Sequence, residues 1–508
     1  MEQTLILTAF VLYLAVMIYV GYYFGKQKTA NSAEFYLGGR QLGPLVAAMS
    51  AEASDMSSWL LMGIPGLVFI TGCADAFWTI LGLGIGTYLN WLFVTKRLRR
   101  YTIRVNAVTI PEFFSKRFYD NRNILMCISA IIILIFFVPY TASGFKAVGT
   151  LLESLFGFPY HESMVVGAAI IVLYTVMGGF MAVSTTDLIQ SIVMSIALIV
   201  IIVFALDKAG GIDQVISNAQ ALPGYLSLTE SRNIETGATD PYGPLTIIST
   251  MAWGLGYFGM PHILLRFMAI KNEQDIKMSR RIATVWVFIS MFVAMGIGIV
   301  GHSVAKAGII TDYQSTSEAE STIIALSHIL AQHGVIAALV AGVVLAGILA
   351  CTMSTADSQL LTSASSFSDN LLRDVFKVKV SAKTSMLVAR LTIIAIAVLA
   401  LFFAWNPESS IFQIVSFAWA GFGAAFGPVM LASLFWKRTT LAGAICGMAS
   451  GGIMVIVWKF LIKPMGGVWG IYELLPAFLV ATFFIIAVSL MTKEPSKEII
   501  EDFEHSAE

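Results

Sequence analysis

Apolar residues recur along this chain in stretches of about 20, the length that roughly 30 Å of hydrocarbon requires of a helix rising about 1.5 Å per residue. Read with a window of about 19 residues, the pattern predicts spans near Leu5 to Phe24, Leu45 to Ile70, Ala76 to Val94, Ile124 to Thr150 and Met164 to Val183. It continues with Leu188 to Ala205, Leu245 to Phe267, Ile282 to Val304, Gly334 to Thr355 and Ser385 to Trp405. The last three are Ile411 to Trp436, Leu441 to Leu461 and Leu475 to Met491, which makes 13 helices in an all-α polytopic membrane protein. Glu2 stands ahead of the first stretch, where a cleaved leader carries basic residues, so that stretch reads as a retained helix with its N-terminus outside.

Two of these stretches are interrupted, and a third carries a polar cluster. The second carries Glu52, Ser54, Asp55, Ser57 and Ser58 and then Gly63-Ile64-Pro65-Gly66. A carboxylate near the bilayer centre costs roughly 3 kcal/mol on an insertion scale, so Asp55 should face a cavity or a partner. Breakers beside it free backbone carbonyls, which suit a small hard cation; the plainer alternative is an acid satisfied by neighbouring hydroxyls. The seventh contains Trp253, Tyr257 and Pro261 spaced by four, with Gly254, Gly256 and Gly259 between them. That arrangement puts two aromatics and a proline on one face beside weakened backbone, and fits a small organic solute or, failing that, a core stripe. The third cluster runs from Cys351 to Gln359 at the expected cytoplasmic end of the ninth span. Ser354, Thr355, Asp357 and Ser358 gather oxygens there that can replace water around a sodium ion or bond back to the helix.

Composition narrows the class further. The chain has 508 residues, 57% of them apolar and 12% charged, and its mean hydropathy of +0.81 excludes a soluble protein. Thirty-one basic and 31 acidic residues cancel, so no net field recruits nucleic acid. Position is more informative: 25 of the 31 basic residues fall on one side of the alternating spans, among them Lys26, Lys28 and Lys379. That side is expected to be cytoplasmic, with the C-terminus on it. The four cysteines lie in apolar segments without a C-x-x-C pair, and neither a phosphate loop nor an H-E-x-x-H pair occurs, so disulfides, zinc and primary pumping are not expected. Gly82-Leu83-Gly84-Ile85-Gly86 lies inside a span and reads as close helix packing. The segments 207–244 and 306–332 are lids or plain connectors, and the charged tail 493–508 reads as a short disordered end.

At these three clusters the sequence resembles the sodium/solute symporter family, most closely its sodium/proline symporters. The likeness rests on S-A-E-A-S-D-M-S-S-W-L-L-M-G-I-P-G at Ser50 to Gly66, W-G-L-G-Y-F-G-M-P-H-I at Trp253 to Ile263, and M-S-T-A-D-S-Q-L-L at Met353 to Leu361. Y-L-G-G-R at Tyr36 to Arg40, T-I-P-E-F-F at Thr109 to Phe114 and G-G-F-M-A-V-S-T-T-D at Gly178 to Asp187 support it. The resemblance implies a LeuT-type core with a 5+5 inverted repeat: a leading helix and loop in 1–40, the first repeat in 41–207, an external loop in 208–244, the second repeat in 245–438, two trailing helices in 439–492 and the tail. It further implies a plasma-membrane cotransporter, not an enzyme, that couples inward Na+ to uptake of a small zwitterion, L-proline.

By the same resemblance, Na+ would be held by the backbone carbonyls of Ala53, Met56 and Cys351 and the hydroxyls of Ser354 and Thr355. Asp55 would tune coupling, Ser57 would link ion to substrate, and Tyr140, Trp253, Tyr257 and Pro261 would line the substrate. Asp187, in the connection between the fifth and sixth spans, would stand near the sodium exit, and Arg40 would be an inner-side arginine. Three residues depart from the family pattern. Asp357 with Asp187 and Ser358 forms either a second ion site or a structural acid. Lys146 either snorkels to the outer interface or receives a substrate carboxylate. Glu52 is expected neutral and hydrogen-bonded, the alternative being a proton carrier. Rival readings are Na+- or H+-coupled uptake of another solute, a membrane sensor without transport, and a channel. No obligatory protein partner is evident.

Overall fold

The computed structural model describes residues 2–25, 32–177, 179–378 and 381–507. Lys26, Lys28 and Lys379, used above for orientation, lie outside the described residues. The chain folds mostly into helices, and among the described residues ten are long and apolar enough to cross a membrane. The pair Pro44–Asp55 and Trp59–Thr71, bent by 60°, makes an eleventh if counted as one span. Their outward faces are apolar: Leu173 is 67% and Phe402 70% exposed. Apolar side chains turned outward along so many helices are stable only against lipid, so this is a multi-pass membrane protein.

Helix boundaries depart from the hydropathy pattern where breakers or length override it. The fifth span ends early, in helix Tyr160–Met177, and Phe180–Lys208 runs as one helix of 29 residues. Gly179 is extended at its start, so the helix begins there and Asp187 sits two turns inside it instead of in a connection. The ninth span also exceeds its expected limit: Val335–Ser365 continues, through a wider π turn, to Val375. Cys351 to Gln359 therefore lie in mid-helix and not at its end, because Ser and Thr there bond back to carbonyls one turn earlier and leave the helix intact. The seventh span divides into Pro244–Met251, a 3-10 stretch Ala252–Gly259 and Pro261–Ala269.

Polar segments are more ordered than their composition suggests. The segment 207–244 contains helix Ile212–Gln220 and two antiparallel strands, Glu230–Arg232 and Thr239–Pro241, a small exception to an all-α chain. The segment 306–332 forms helices Thr316–Ala319 and Thr322–Ala331. The tail, expected to be disordered, forms helix Lys497–Ala507. Asp502 accepts from Arg104 at 2.5 Å and from the Tyr119 hydroxyl at 2.9 Å, while Phe503 is buried beneath the Arg117 guanidinium. Acidic side chains answering a basic surface order what local hydropathy alone would leave loose.

Glycines let the broken seventh segment approach its neighbour backbone to backbone. A Cβ on Gly254 would come within 2.1 Å of the Gly82 carbonyl oxygen, and one on Gly86 within 2.3 Å of the Gly254 oxygen. The glycine run inside the third span is a packing surface, as its position implies.

Lys146 answers neither expectation made for it. Its side chain is 3% exposed and pairs with Glu320 at 3.4 Å, while also donating to Ser317 Oγ at 2.9 Å and to the Ser409 carbonyl. Glu320 in turn accepts from Ser410 Oγ and from the backbone N–H groups of Ile411 and Phe412, the first turn of helix Ile411–Phe435. Burial pushes the Glu320 carboxyl up from its ordinary range, and the Lys146 charge works against that rise. Snorkelling fails because a buried carboxylate and carbonyls meet the ammonium before water can. Lys146→Met should lower the thermal stability of the detergent-solubilised protein by an amount equivalent to about 3–5 kcal/mol, since it strands a buried acid. Adding Glu320→Gln should recover part of that loss, and equal stability of single and double variants would show that the pair carries no weight.

Candidate functional site

Helix Pro44–Asp55 stops because Met56 turns to φ −72°, ψ 71°, and the Ser57 N–H then reaches back to the Asp55 carbonyl at 2.7 Å. Trp59 begins the next helical turn, its indole N–H on the same Asp55 carbonyl at 3.0 Å. The Ala53 carbonyl accepts from Ser354 Oγ at 2.8 Å and more loosely from Thr355 Oγ1 at 3.4 Å, and Ser354 Oγ also lies 3.1 Å from the Cys351 carbonyl. Four of the five oxygen-bearing residues read as ion ligands thus meet at one point, all buried, with Met56 at the adjoining break. The two hydroxyls can rotate and offer lone pairs, so the cluster has the all-oxygen character that a small hard cation needs.

Asp55 forms the junction with the second break. Its Oδ2 accepts from the Tyr257 hydroxyl at 2.6 Å, and its carbonyl from the Tyr140 hydroxyl at 3.2 Å; Oδ1 is buried without a partner. Tyr257 lies in the 3-10 stretch, with its own carbonyl held by Asn90 Nδ2 at 2.9 Å. One turn earlier, Trp253 stacks on Tyr472 with ring centres 5.0 Å apart and neighbours Phe412, Trp59 and Trp419. Pro261 opens helix Pro261–Ala269 after an extended Met260, where its missing N–H costs nothing. Tyr140, Trp253 and Tyr257 therefore gather round the same break, and Ser57 is buried within its turn. His262, next to Pro261 and edge-on to Tyr140, has a fully buried ring.

One turn further along each helix a second polar layer forms. Arg266 donates to Ser50 Oγ at 3.0 Å, to Asp187 Oδ2 at 3.2 Å, to Ser358 Oγ at 2.6 Å and to the His262 carbonyl at 2.9 Å. Asp187 also accepts from Ser50, and Ser358 bonds Asp357 at 3.3 Å. The sequence reading left Asp187, Asp357 and Ser358 as either a second ion site or a structural acid; in the fold a buried guanidinium bonds Asp187 and Ser358. Hydropathy counting treated Arg266 as one more cytoplasmic charge, and no local pattern marks its partners, which stand 79 and 92 residues away. Arg40 binds the carbonyls of Met268 and Ala107 at 2.6 and 2.7 Å, a cation near the C-terminal end of helix Pro261–Ala269. Glu52 accepts from the Trp91 indole at 3.0 Å.

Comparisons with known proteins follow the same lines. The profile of the Sodium:solute symporter family matches residues 35–451. Sodium/proline symporter 2 of Staphylococcus saprophyticus is 40% identical over 501 residues, covering 97% of this chain and 94% of that protein. The sodium/proline symporter of Staphylococcus aureus strain USA300 is 39% identical over 507 residues, covering 98% and 95%. Among solved structures, a substrate-bound outward-open Na+-coupled sialic acid symporter shares the fold with a TM-score of 0.78 at 20% identity, covering 97% of this chain and 99% of that one. A nucleobase-cation-symport-1 family transporter in a closed conformation gives 0.56 at 13% identity, covering 94% and 99%.

The Asp55–Tyr257 bond should be energetically coupled. In a double-mutant cycle of Asp55→Asn and Tyr257→Phe read by thermal unfolding, a coupling of about 1.5–3 kcal/mol is expected for a hydrogen bond to a charged group. Additive losses would show that the two side chains act independently.

Proposed function

The chain belongs to the sodium:solute symporter family, and from that premise we propose that it couples inward movement of Na+ to uptake of a small amino acid, L-proline, by alternating access. It is a transporter and not an enzyme. The observation that carries this reading is the meeting of two helix breaks at Asp55 and Tyr257, beside hydroxyls on the Ala53 carbonyl. Identity of 40% to a sodium/proline symporter over nearly the whole chain supports the choice of ion and solute.

In this proposal Na+ is held by the carbonyls of Ala53, Met56 and Cys351 and the hydroxyls of Ser354 and Thr355. Binding there ties helix Pro44–Asp55 to helix Val335–Ser365, fixing the turn that carries Asp55 and Ser57. Asp55 in turn sets Tyr257, and with Tyr140, Trp253 and Pro261 this completes the solute pocket. Because ion and solute share the same turn, each raises the other's affinity by the same factor. Rocking of the helices that carry the breaks against the rest then exposes the pocket to one side at a time. The layer of Arg266, Asp187, Asp357 and Ser358 lies on the route that Na+ takes inward, its buried charges giving the ion a polar path.

The finer architecture is part of the proposal. Adding the short apolar helix Tyr160–Val176 and the broken segment 244–269 to the eleven spans yields thirteen. These divide into a leading helix, two inverted sets of five and two trailing helices. The first helix of each set supports that division: Pro44 and Pro244 both occupy the first helical turn after a glycine at φ −74° with ψ 168° and 170°. We place the protein in the plasma membrane with its N-terminus outside and its C-terminus in the cytoplasm. The tail helix on Arg104 and Tyr119 agrees with a basic cytoplasmic face.

Reconstitution in liposomes with labelled L-proline, at fixed membrane potential and pH, tests the whole reading. Accumulation is expected only under an inward Na+ gradient, and uptake indifferent to Na+ would overturn the coupling. Asp55→Asn should raise the Na+ concentration for half-maximal uptake at least several-fold; an unchanged Na+ dependence would remove Asp55 from that role. Ser354→Ala with Thr355→Ala should abolish Na+ stimulation of proline binding, and retained stimulation would place the ion elsewhere.

A further inference from the structure

Beneath helix Lys497–Ala507 lies an arginine without a carboxylate. Arg117 ends helix Ile110–Arg117 and is fully buried, and its Nε donates to the Ser433 carbonyl at 2.9 Å. Its Nη1 and Nη2 find no hydrogen-bond acceptor among the described residues. The guanidinium lies instead among rings, 5.4 Å from the centre of Tyr101, 4.9 Å from Phe118 and 5.2 Å from Phe503. Two of the residues that adjoin it carry further idle donors, since the Tyr101 hydroxyl and Ser433 Oγ are also buried without a partner. Ring faces attract a cation but accept none of its N–H bonds in full, and a buried charge with unbonded donors is costly unless an anion completes it.

The cover over these donors is acidic and lightly held. Helix Lys497–Ala507 carries Glu498, Glu501, Asp502 and Glu504 against one lysine. Asp502, next to Phe503, is engaged by Arg104 and Tyr119 and not by Arg117. The ion pairs of Asp502 with Arg104 and of Glu504 with Lys437 are partly to largely exposed, and pairs of that kind contribute little and weaken with salt. Acids of the tail thus take the place of a diffusible anion on this surface without reaching the Arg117 Nη groups. Asp502 also lines an open cavity of about 840 Å³ together with Arg104, Lys116 and Tyr119, which gives an anion its approach.

We infer that Arg117, Tyr101 and Ser433 form a binding site for a phosphate-type anion, with helix Lys497–Ala507 as the cover that lifts to admit it. The two Nη groups present a fork that matches two oxygens of such an anion, and the two hydroxyls serve the others; a carboxylate has only two oxygens and would leave the hydroxyls idle. Free phosphate and the headgroup of an anionic phospholipid share this chemistry. Anion and tail compete, so binding releases the helix and loss of Phe503 uncovers the site. The inference goes beyond the symport reading and does not depend on it.

Equilibrium binding to the purified full chain, at ionic strength held constant with chloride, tests this with labelled inorganic phosphate and with labelled dioctanoyl phosphatidylglycerol. One anion per chain is expected, accompanied by faster hydrogen exchange of the backbone amides in 497–507. Saturation by inorganic phosphate identifies the free anion; saturation by phosphatidylglycerol alone, undisplaced by dioctanoyl phosphatidylcholine, identifies the headgroup. Arg117→Gln should weaken binding about tenfold or more, the scale of one lost charged contact. Phe503→Ala should tighten it by about tenfold, the scale of burying one large apolar side chain, a change that misfolding cannot produce. No saturable binding of either probe, or binding unchanged in both variants, would overturn the site, and binding without faster exchange in 497–507 would overturn the competition with the tail.

Discussion

Asp55 holds the centre of this structure together through a hydrogen bond of 2.6 Å to Tyr257, made where two helices have each lost their regular backbone. A buried carboxyl in an apolar bundle has to be satisfied from within, and an unwound segment leaves carbonyls that need partners as well. Here the two requirements meet: Asp55 gives its side chain to Tyr257 and its carbonyl to Tyr140 and Trp59. The helix break is held at the Asp55 carbonyl, where the Ser57 N–H, the Trp59 indole and the Tyr140 hydroxyl all donate. The price of irregular backbone in a membrane is thereby confined to one place.

Buried charge elsewhere follows the same constraint with a different outcome. Arg266 and Asp187 join the second half of the chain to the first, and Lys146 and Glu320 join helix Ile124–Phe156 to the segment 306–332 and the start of helix Ile411–Phe435. Each pair is wrapped by hydroxyls and backbone groups that take up remaining donors, as low-dielectric ion pairs require. Such pairs favour one arrangement strongly over partly open ones, which makes them natural places for a packed bundle to have discrete states rather than a continuum. The two pairs stand on opposite sides of the Asp55 junction, Arg266 against Ser50 before it and Glu320 against Gly66 after it.

An aromatic cluster adjoins the junction. Trp253 packs among Trp59, Phe412, Trp419 and Tyr472, while Gly256 leaves room for the Trp419 indole, which donates to the Trp253 carbonyl at 2.8 Å. A Cβ at residue 256 would sit 1.9 Å from the indole nitrogen, so a glycine is required there by contact as much as by flexibility. The sequence shows the glycines as breakers of a helix; their second use, as space for a tryptophan from another helix, appears only once that helix is in place.

What the sequence determined by itself was everything carried by local pattern. Runs of apolar residues set the membrane class, since hydrocarbon thickness fixes helix length, and Asp55 beside Gly63, Pro65 and Gly66 marked a broken span because breakers and a buried acid act within a few residues of each other. Trp253, Tyr257 and Ser354 were legible for the same reason. Only tertiary structure decided the pairing of Arg266 with Asp187, the burial of Lys146 on Glu320, the roof of Trp419 and Tyr472, and the docking of helix Lys497–Ala507. Each of these joins groups more than 70 residues apart or turns a charged segment into a packed one. Hydropathy measures what a residue costs in lipid; which partner lowers that cost depends on packing across the whole bundle.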